Sequence, residues 1–171
     1  MTLRLFKSNP VSICFKEKTL PDGKIEVEIP NEVQLMKTGS FTYWDPGDME
    51  ITQAHFIAMV NNFEKNVRGV DCAIDYAHNM FGRAAGWIKK LYTSSNGNEL
   101  WAEISWTPDG AKALAEKEYR YFSAEFSYHY QDDENMMDYG ATIFGAALTN
   151  RPLLTKMPPA TELSENQFKE Y

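Results

Sequence analysis

The chain has 171 residues, 43% of them hydrophobic, 13% aromatic and 24% charged, with ten Gly and eight Pro, the composition of a globular protein rather than a fibrous or disordered one. Its longest apolar run is Phe56 to Val60, far short of the roughly 20 residues a bilayer-spanning helix needs, and the opening MTLRLFKSNP lacks the apolar stretch of a secretory signal. Seventeen Lys and Arg against 24 Asp and Glu give a net charge of -7 with no basic cluster, which argues against nucleic acid as a partner. Two cysteines without CxxC spacing, Cys14 and Cys72, exclude a disulfide framework and point to a reduced, cytoplasmic compartment.

Val11 to Lys18 alternates partly, Pro21-Asp22-Gly23 is a turn, and Lys24 to Ile29 alternates charge with Ile25, Val27 and Ile29, which together read as a β-hairpin. Val33 to Met36 is a third strand candidate, and Asp45-Pro46-Gly47-Asp48 breaks the chain before a helix. Thr52 is placed to cap that helix. Phe56, Met59, Val60 and Phe63 follow at i, i+3, i+4 and i+7, and Asn66 to Gly69 ends it.

Short extended segments return at Cys72 to Tyr76, Ala85 to Tyr92 and Leu100 to Trp106, the last two joined by a turn over Ser94 to Asn98. Thr107-Pro108-Asp109 combines a capping hydroxyl, Pro at the first helical position and an acid in the first turn, so Gly110 to Lys117 reads as a short helix. Tyr119 to Tyr130 alternates strictly, with Phe122, Ala124, Phe126 and Tyr128 on one face and Tyr121, Ser123, Glu125 and Ser127 on the other. An acidic turn at Asp132 to Asn135 separates it from a last extended run, Tyr139 to Leu148. Thr149 to Pro159 carries three prolines and precedes a polar tail. Six to eight short strands, one substantial helix and one short one, with no βαβ alternation, favour an α+β fold built on an antiparallel sheet or barrel.

Each of the three histidines has a structural and a chemical reading. His55, in the first turn of the long helix, and His129, beside the acidic turn, read as solvated surface side chains. His78 follows the strand Ile74-Asp75-Tyr76-Ala77 and precedes a loop with Gly82 and Gly86, a place where side chains line clefts, although a structural histidine is the commoner outcome. There is no HExxH and no compact His/Cys cluster, so no metal is expected. Cys72 is six residues from His78, near 20 Å along an extended strand at ~3.3 Å per residue, so a buried core cysteine is the better reading than a nucleophile. Ser123 is the remaining nucleophile candidate, against the ordinary alternative of a strand serine facing solvent.

Five segments in order add a further observation: Ile74-Asp75-Tyr76-Ala77-His78; Ala84-Ala85-Gly86-Trp87-Ile88; Leu100 through Gly110; Tyr119-Arg120-Tyr121-Phe122-Ser123-Ala124-Glu125-Phe126; and Gly145-Ala146-Ala147-Leu148-Thr149-Asn150-Arg151-Pro152. In register from Ile51 to Leu154, they resemble the Mu-like phage I protein family, the prohead protease whose reading frame also supplies the capsid scaffold, similar in turn to other tailed-phage prohead proteases and to herpesvirus assemblin. The resemblance implies a serine endopeptidase on an antiparallel β-barrel of about seven strands ringed by helices, with no cofactor. It implies His78 as general base and Ser123 as nucleophile. The third member stays open, because the stretch Ile143-Phe144-Gly145-Ala146, where many prohead proteases carry an acid, has none. Asp75 is the first candidate, although three residues from His78 on a straight strand puts it on the opposite face; Glu125, on the Ser123 face, is the second, and Glu103 is assigned to the neighbouring strand. Arg151 or Arg83 could assist at the oxyanion only if the fold brings them close, and each is more often a solvated surface arginine. The resemblance further implies scaffold, major capsid protein and the chain itself as substrates, a homo-oligomer without membrane or nucleic-acid partners, and a location in the host bacterial cytoplasm inside the procapsid. On this reading residues 1–155 are the protease domain and 156–171 a polar linker toward a scaffold region that this chain lacks through truncation or self-cleavage.

Overall fold

The computed structural model describes residues 6–7, 11–12, 16–42 and 47–151. Cys14, Asp45, Pro46 and the proline-bearing tail lie outside the described residues, and with them the assignment of 156–171 as a linker. The hairpin forms as the turn chemistry requires: β3 (Lys16–Thr19) and β4 (Ile25–Glu28) pair antiparallel, with Gly23 donating to the Leu20 carbonyl at 2.9 Å. It is a separate two-stranded ribbon. A second ribbon, β6 (Gly39–Thr42) with β7 (Asp48–Ile51), occupies the stretch that the sequence reading treats only as a break. Met49 and Ile51 alternate inward there, a short period-two signal flanked by acids.

Helix α1 (Gln53–Glu64) starts at Thr52 and buries Phe56 and Met59. The short helix α2 spans Pro108–Ala115, two residues earlier at each end than the sequence reading, with Thr107 Oγ1 accepting from the Gly110 amide at 3.0 Å. Between and after the helices run β8 (Ala73–Tyr76), β9 (Gly86–Thr93), β10 (Glu99–Trp106), β11 (Tyr121–Ser127) and β12 (Thr142–Thr149). With β5 (Glu32–Lys37) they form one wall in the order β11-β12-β8-β9-β10-β5. The short β1 (Phe6–Lys7) and β2 (Val11–Ser12) pair with the other edge of β11. β5 comes back toward β11 and β2, so the six-strand wall is nearly closed. Mostly β with two helices among the described residues, it is an α+β barrel-like fold.

The wall departs from the antiparallel expectation at one place, where β12 and β8 run parallel, with Ala146, Ala147 and Leu148 opposite Ile74, Asp75 and Tyr76. Parallel pairing leaves the two strand ends pointing the same way, so the turn after β8 sits beside the end of β12. Close backbone approach makes this pairing possible: a Cβ at Gly145 would lie 2.5 Å from the Ala73 carbonyl oxygen. Inside the wall, Leu35, Ile74, Leu100, Phe122, Ala124, Phe126 and Leu148 share one hydrophobic core with Phe56 and Met59 of α1.

Candidate active site

Both faces of β11 are buried, for different reasons. Phe122, Ala124 and Phe126 point into the core. Ser123 and Glu125 share the opposite face, and neither faces solvent as the strand's alternation suggested: Ser123 is 4% exposed and Glu125 7%. Register extends that face across the sheet, since Ser123 lies opposite Ala147 of β12, and Ala147 opposite Asp75 of β8. Cross-strand partners present side chains on the same side, so Asp75, Ala147 and Ser123 form one row with the smallest side chain in the middle. Glu125 is opposite Gly145, whose missing Cβ lets the backbone of β8 approach, since a Cβ there would lie 2.5 Å from the Ala73 carbonyl oxygen. A bulge on β12, with Phe144 as the extra residue, lets Ile143 and Ala146 both stay in the core while this small-residue face is kept.

His78 reaches the same face because the chain does not leave β8 straight. Ala77 and His78 adopt φ of 55° and 62°, the left-handed region that side chains other than Gly, Asn and Asp seldom occupy. Two consecutive residues there require compensation. The Ala77 amide donates to Leu148 O at 2.7 Å, and Asn79 donates to Tyr76 O at 3.0 Å. The turn folds the imidazole back over β12 onto β11, where its Nδ1 is hydrogen-bonded to Glu125 Oε1, with the His78 side chain 14% exposed and that of Glu125 9%. An ionised carboxylate can only accept, so a neutral ring making this contact carries its proton on Nδ1 and has Nε2 free to accept. Ser123 is one pleat away on the same face, at two residues and ~3.3 Å per residue. β11 and the turn after β8 thus bring imidazole and carboxylate into contact, with Ser123 on the same face of β11.

The carboxylate on the ring is Glu125, the second of the sequence candidates. Asp75, the first, sits 8% exposed in the Ser123 row. Glu103 is not on a neighbouring strand: β10 pairs with β9 and β5, with β12, β8 and β9 between it and β11 along the wall, and Glu103 is exposed. Arg83 is committed elsewhere, its Nη1 donating to Asp109 Oδ2 at 2.6 Å. Arg151 is exposed just beyond β12, its backbone amide donating to Thr149 Oγ1 at 3.2 Å. Among the described residues no cluster of three or more His, Cys, Asp and Glu could hold a metal ion, and no helix is long and apolar enough to cross a membrane.

The other candidates take structural positions. Cys72 is buried, its Sγ 3.8 Å from Ile143 O, and burial pushes its thiol pKa up, away from a nucleophilic thiolate. His129 is exposed and hydrogen-bonded to Asp138 at 3.1 Å. His55 is not the solvated side chain its position suggested. Its Nδ1 accepts from the Thr52 amide at 3.1 Å, closing a capping box, and its ring packs 4.9 Å from that of Tyr128. Sequence reasoning missed this because the box is expected with Glu or Gln at the third helical position, not His. It also missed a cavity of about 510 Å³ against the turn that carries His78, between Tyr76, Arg83 and the outer side of α2. Its lining is dispersed over three segments, and the only local signal is the charged face of α2.

No curated protein and no solved structure matches the chain. The family model for the N-terminal domain of the Mu-like prophage I protein matches residues 33–161, from Val33 of β5 through β12, with α1, α2, Asp75, His78, Ser123 and Glu125 inside it. By that match the chain belongs to the Mu-like prophage I protein family.

Proposed function

We propose that this chain is the serine endopeptidase of phage prohead maturation, acting on scaffold, major capsid protein and itself inside the procapsid in the host cytoplasm, as a homo-oligomer and without a cofactor. The observation that carries the reading is the placement of Ser123 and Glu125 on one buried face of β11, with the His78 ring hydrogen-bonded to Glu125. The reading takes the six-strand wall, with β1 and β2 along its edge, as an assemblin-like barrel of about seven strands. Its mechanism is acyl transfer. His78 Nε2 takes the proton of Ser123 Oγ as the oxygen attacks the scissile carbonyl, while Glu125 orients the ring and stabilises the imidazolium. The imidazolium then protonates the leaving amine as the C–N bond breaks. Water, deprotonated by the same nitrogen, hydrolyses the serine ester and restores the hydroxyl. Asp75, in the Ser123 row, has the lesser role of a buried carboxylate that stabilises the positive ring at a distance, and Arg151 is the candidate at the oxyanion.

Intact mass of the full gene product over time, wild type beside Ser123→Ala, tests the reading. Discrete truncation in wild type alone supports it; identical, stable masses in both overturn self-processing. A second reading, a non-catalytic assembly module on the same fold, is favoured by the 4% exposure of Ser123, which leaves a substrate carbonyl little access. Labelling by a fluorophosphonate separates the two, because a reactive Ser123 labels in wild type and not in Ser123→Ala, whereas the module labels in neither.

A further inference from the structure

β12 lies against both the strand that carries Glu125 and the turn that carries His78, yet it begins on a defect. Its ladder to β11 shifts by one residue between Glu125 and Phe126, so Phe144 is the extra residue and Gly145 lies opposite Glu125. Its parallel ladder to β8 covers only Ala146, Ala147 and Leu148. Ahead of those residues, side chains from the segment before β8 meet the strand: Cys72 Sγ lies 3.8 Å from the Ile143 carbonyl oxygen, and Arg68 Nη1 donates to the Phe144 carbonyl at 2.7 Å. The Arg68 guanidinium carbon also lies 4.2 Å from the centre of the Phe144 ring, which packs at near right angles on Tyr130, 5.6 Å between centres. A guanidinium donates in its plane and stacks with its face, so one side chain fixes both the carbonyl and the ring of the bulged residue.

The arginine is itself held. Asn66 and Gly69, with φ of 47° and 68°, close a tight turn around it, and the Gly69 amide donates to Asn66 O at 2.9 Å. Near the end of α1, buried Asn62 donates to Tyr139 O at 2.7 Å and to Ala141 O at 2.9 Å. The end of α1 and the turn after it thus grip β12 from its lead-in to its bulge. The consequence for the site runs through one peptide group. The Phe144 carbonyl shares a plane with the nitrogen and Cα of Gly145, so a donor fixed on that oxygen fixes Gly145 as well. Without a Cβ, and beside a bulge that interrupts the ladder, Gly145 is otherwise free to rotate. It stands between the two halves of the site, opposite Glu125 on one side and against the Ala73 carbonyl, at the start of β8, on the other. β8 leads into the His78 turn, whose Ala77 amide donates to Leu148 O of β12 at 2.7 Å.

We infer that Arg68 is a positioning residue of the site: by locking the Phe144–Gly145 peptide plane it keeps β8 and β11 at the spacing where the His78 ring meets Glu125. Its effect on catalysis rests on the protease reading; its effect on geometry does not, so the test reads the ring itself. In the full wild-type chain the proton on His78 Nδ1 gives a low-field proton resonance, assigned by its loss in His78→Gln. Arg68→Met keeps an apolar stem and loses every donor. In it that proton is expected to exchange with solvent about tenfold faster, the size of effect of losing one hydrogen bond to a charged group, and the ring nitrogen shifts move toward a mixture of tautomers. Arg68→Lys keeps the charge and a donor without the planar fork, restores the resonance in part, and carries the same comparison where the Met variant does not fold. Phe56→Ala, a core truncation, controls for lost stability, and its His78 signals are expected to match wild type. On the protease reading, self-processing falls about ten- to a hundredfold in Arg68→Met and less in Arg68→Lys. No such resonance in wild type, wild-type signals in both Arg68 variants, or equal changes in Phe56→Ala overturns the inference. Absent self-processing in wild type, with the His78 signals still dependent on Arg68, overturns the protease reading and leaves the positioning role standing.

Discussion

The Glu125 carboxylate is nearly buried, and its partner is an imidazole on a turn held in the left-handed region. Replacing it by glutamine keeps an acceptor for the Nδ1 proton but removes the charge that stabilises an imidazolium. On the protease reading, Glu125→Gln lowers self-processing about 10²- to 10⁴-fold, the span general acid–base groups contribute, with the urea midpoint little changed. Asp75→Asn leaves the ring's hydrogen bond to Glu125 in place and gives a smaller loss. Comparing time courses by intact mass ranks the two carboxylates that sequence alone could not. His55 supplies a different test. Burial holds its pKa below the ordinary histidine value, with Glu50 opposing and His129 adding to the shift, and its Nδ1 must stay unprotonated to accept from Thr52. A base depressed in the folded state contributes stability that is whole above about pH 6.5 and is lost as pH falls through the folded pKa, because the unfolded chain takes up the proton first. Denaturant midpoints for wild type should therefore drop between pH 7.5 and pH 5 by more than those of His55→Gln, which keeps a capping acceptor that does not titrate in this range.

At the scale of elements, the parallel pair β8–β12 sets where His78 stands relative to β11. Gly145 has an ordinary negative φ but no room, since a Cβ would lie 2.5 Å from the Ala73 carbonyl oxygen. Gly145→Ala forces the two strands apart at the residue opposite Glu125. A destabilisation of about 1–3 kcal/mol by urea titration is expected, with activity per folded molecule falling as well. Helix α1 gives the contrast. Phe56 is fully buried against the core, so Phe56→Ala should cost about 3–5 kcal/mol in the same titration yet leave the activity of the folded fraction unchanged. The elements most legible in the sequence were those with local chemistry: the Pro21-Asp22-Gly23 hairpin, the Thr52 and Thr107 caps, and the turn over Ser94 to Asn98. The β6–β7 ribbon was not legible, because four-residue strands leave too few alternations to outweigh the break residues at their join.

At the scale of the whole molecule, stability is uneven by construction. β8, β11 and β12 lie within the wall and carry its core, whereas β3–β4 is a two-stranded ribbon on its own whose described side chains are mostly exposed. Isolated hairpins are marginal in water. Amide hydrogen exchange should show β3–β4 protons lost fastest and those of β11 and β12 slowest, so that the face bearing Ser123 and Glu125 belongs to the most protected unit. Rapid exchange in β11 would contradict a site built on a rigid wall.

The sequence by itself determined the class of fold and most element positions, because turns, caps and the alternation of β11 are read from residues close together in the chain. It placed Ser123 and Glu125 on one face for the same reason: a strand's period is local. What it could not decide was which carboxylate meets His78. A straight continuation of β8 would carry that ring away, and only the turn at Ala77 and His78, held by a hydrogen bond to Leu148 of β12, brings it to Glu125. The burial of Ser123 and the cavity beside the His78 turn have the same origin. Both depend on β12 lying parallel to β8 and on α2 packing beside the turn, contacts between segments dozens of residues apart that no local pattern encodes.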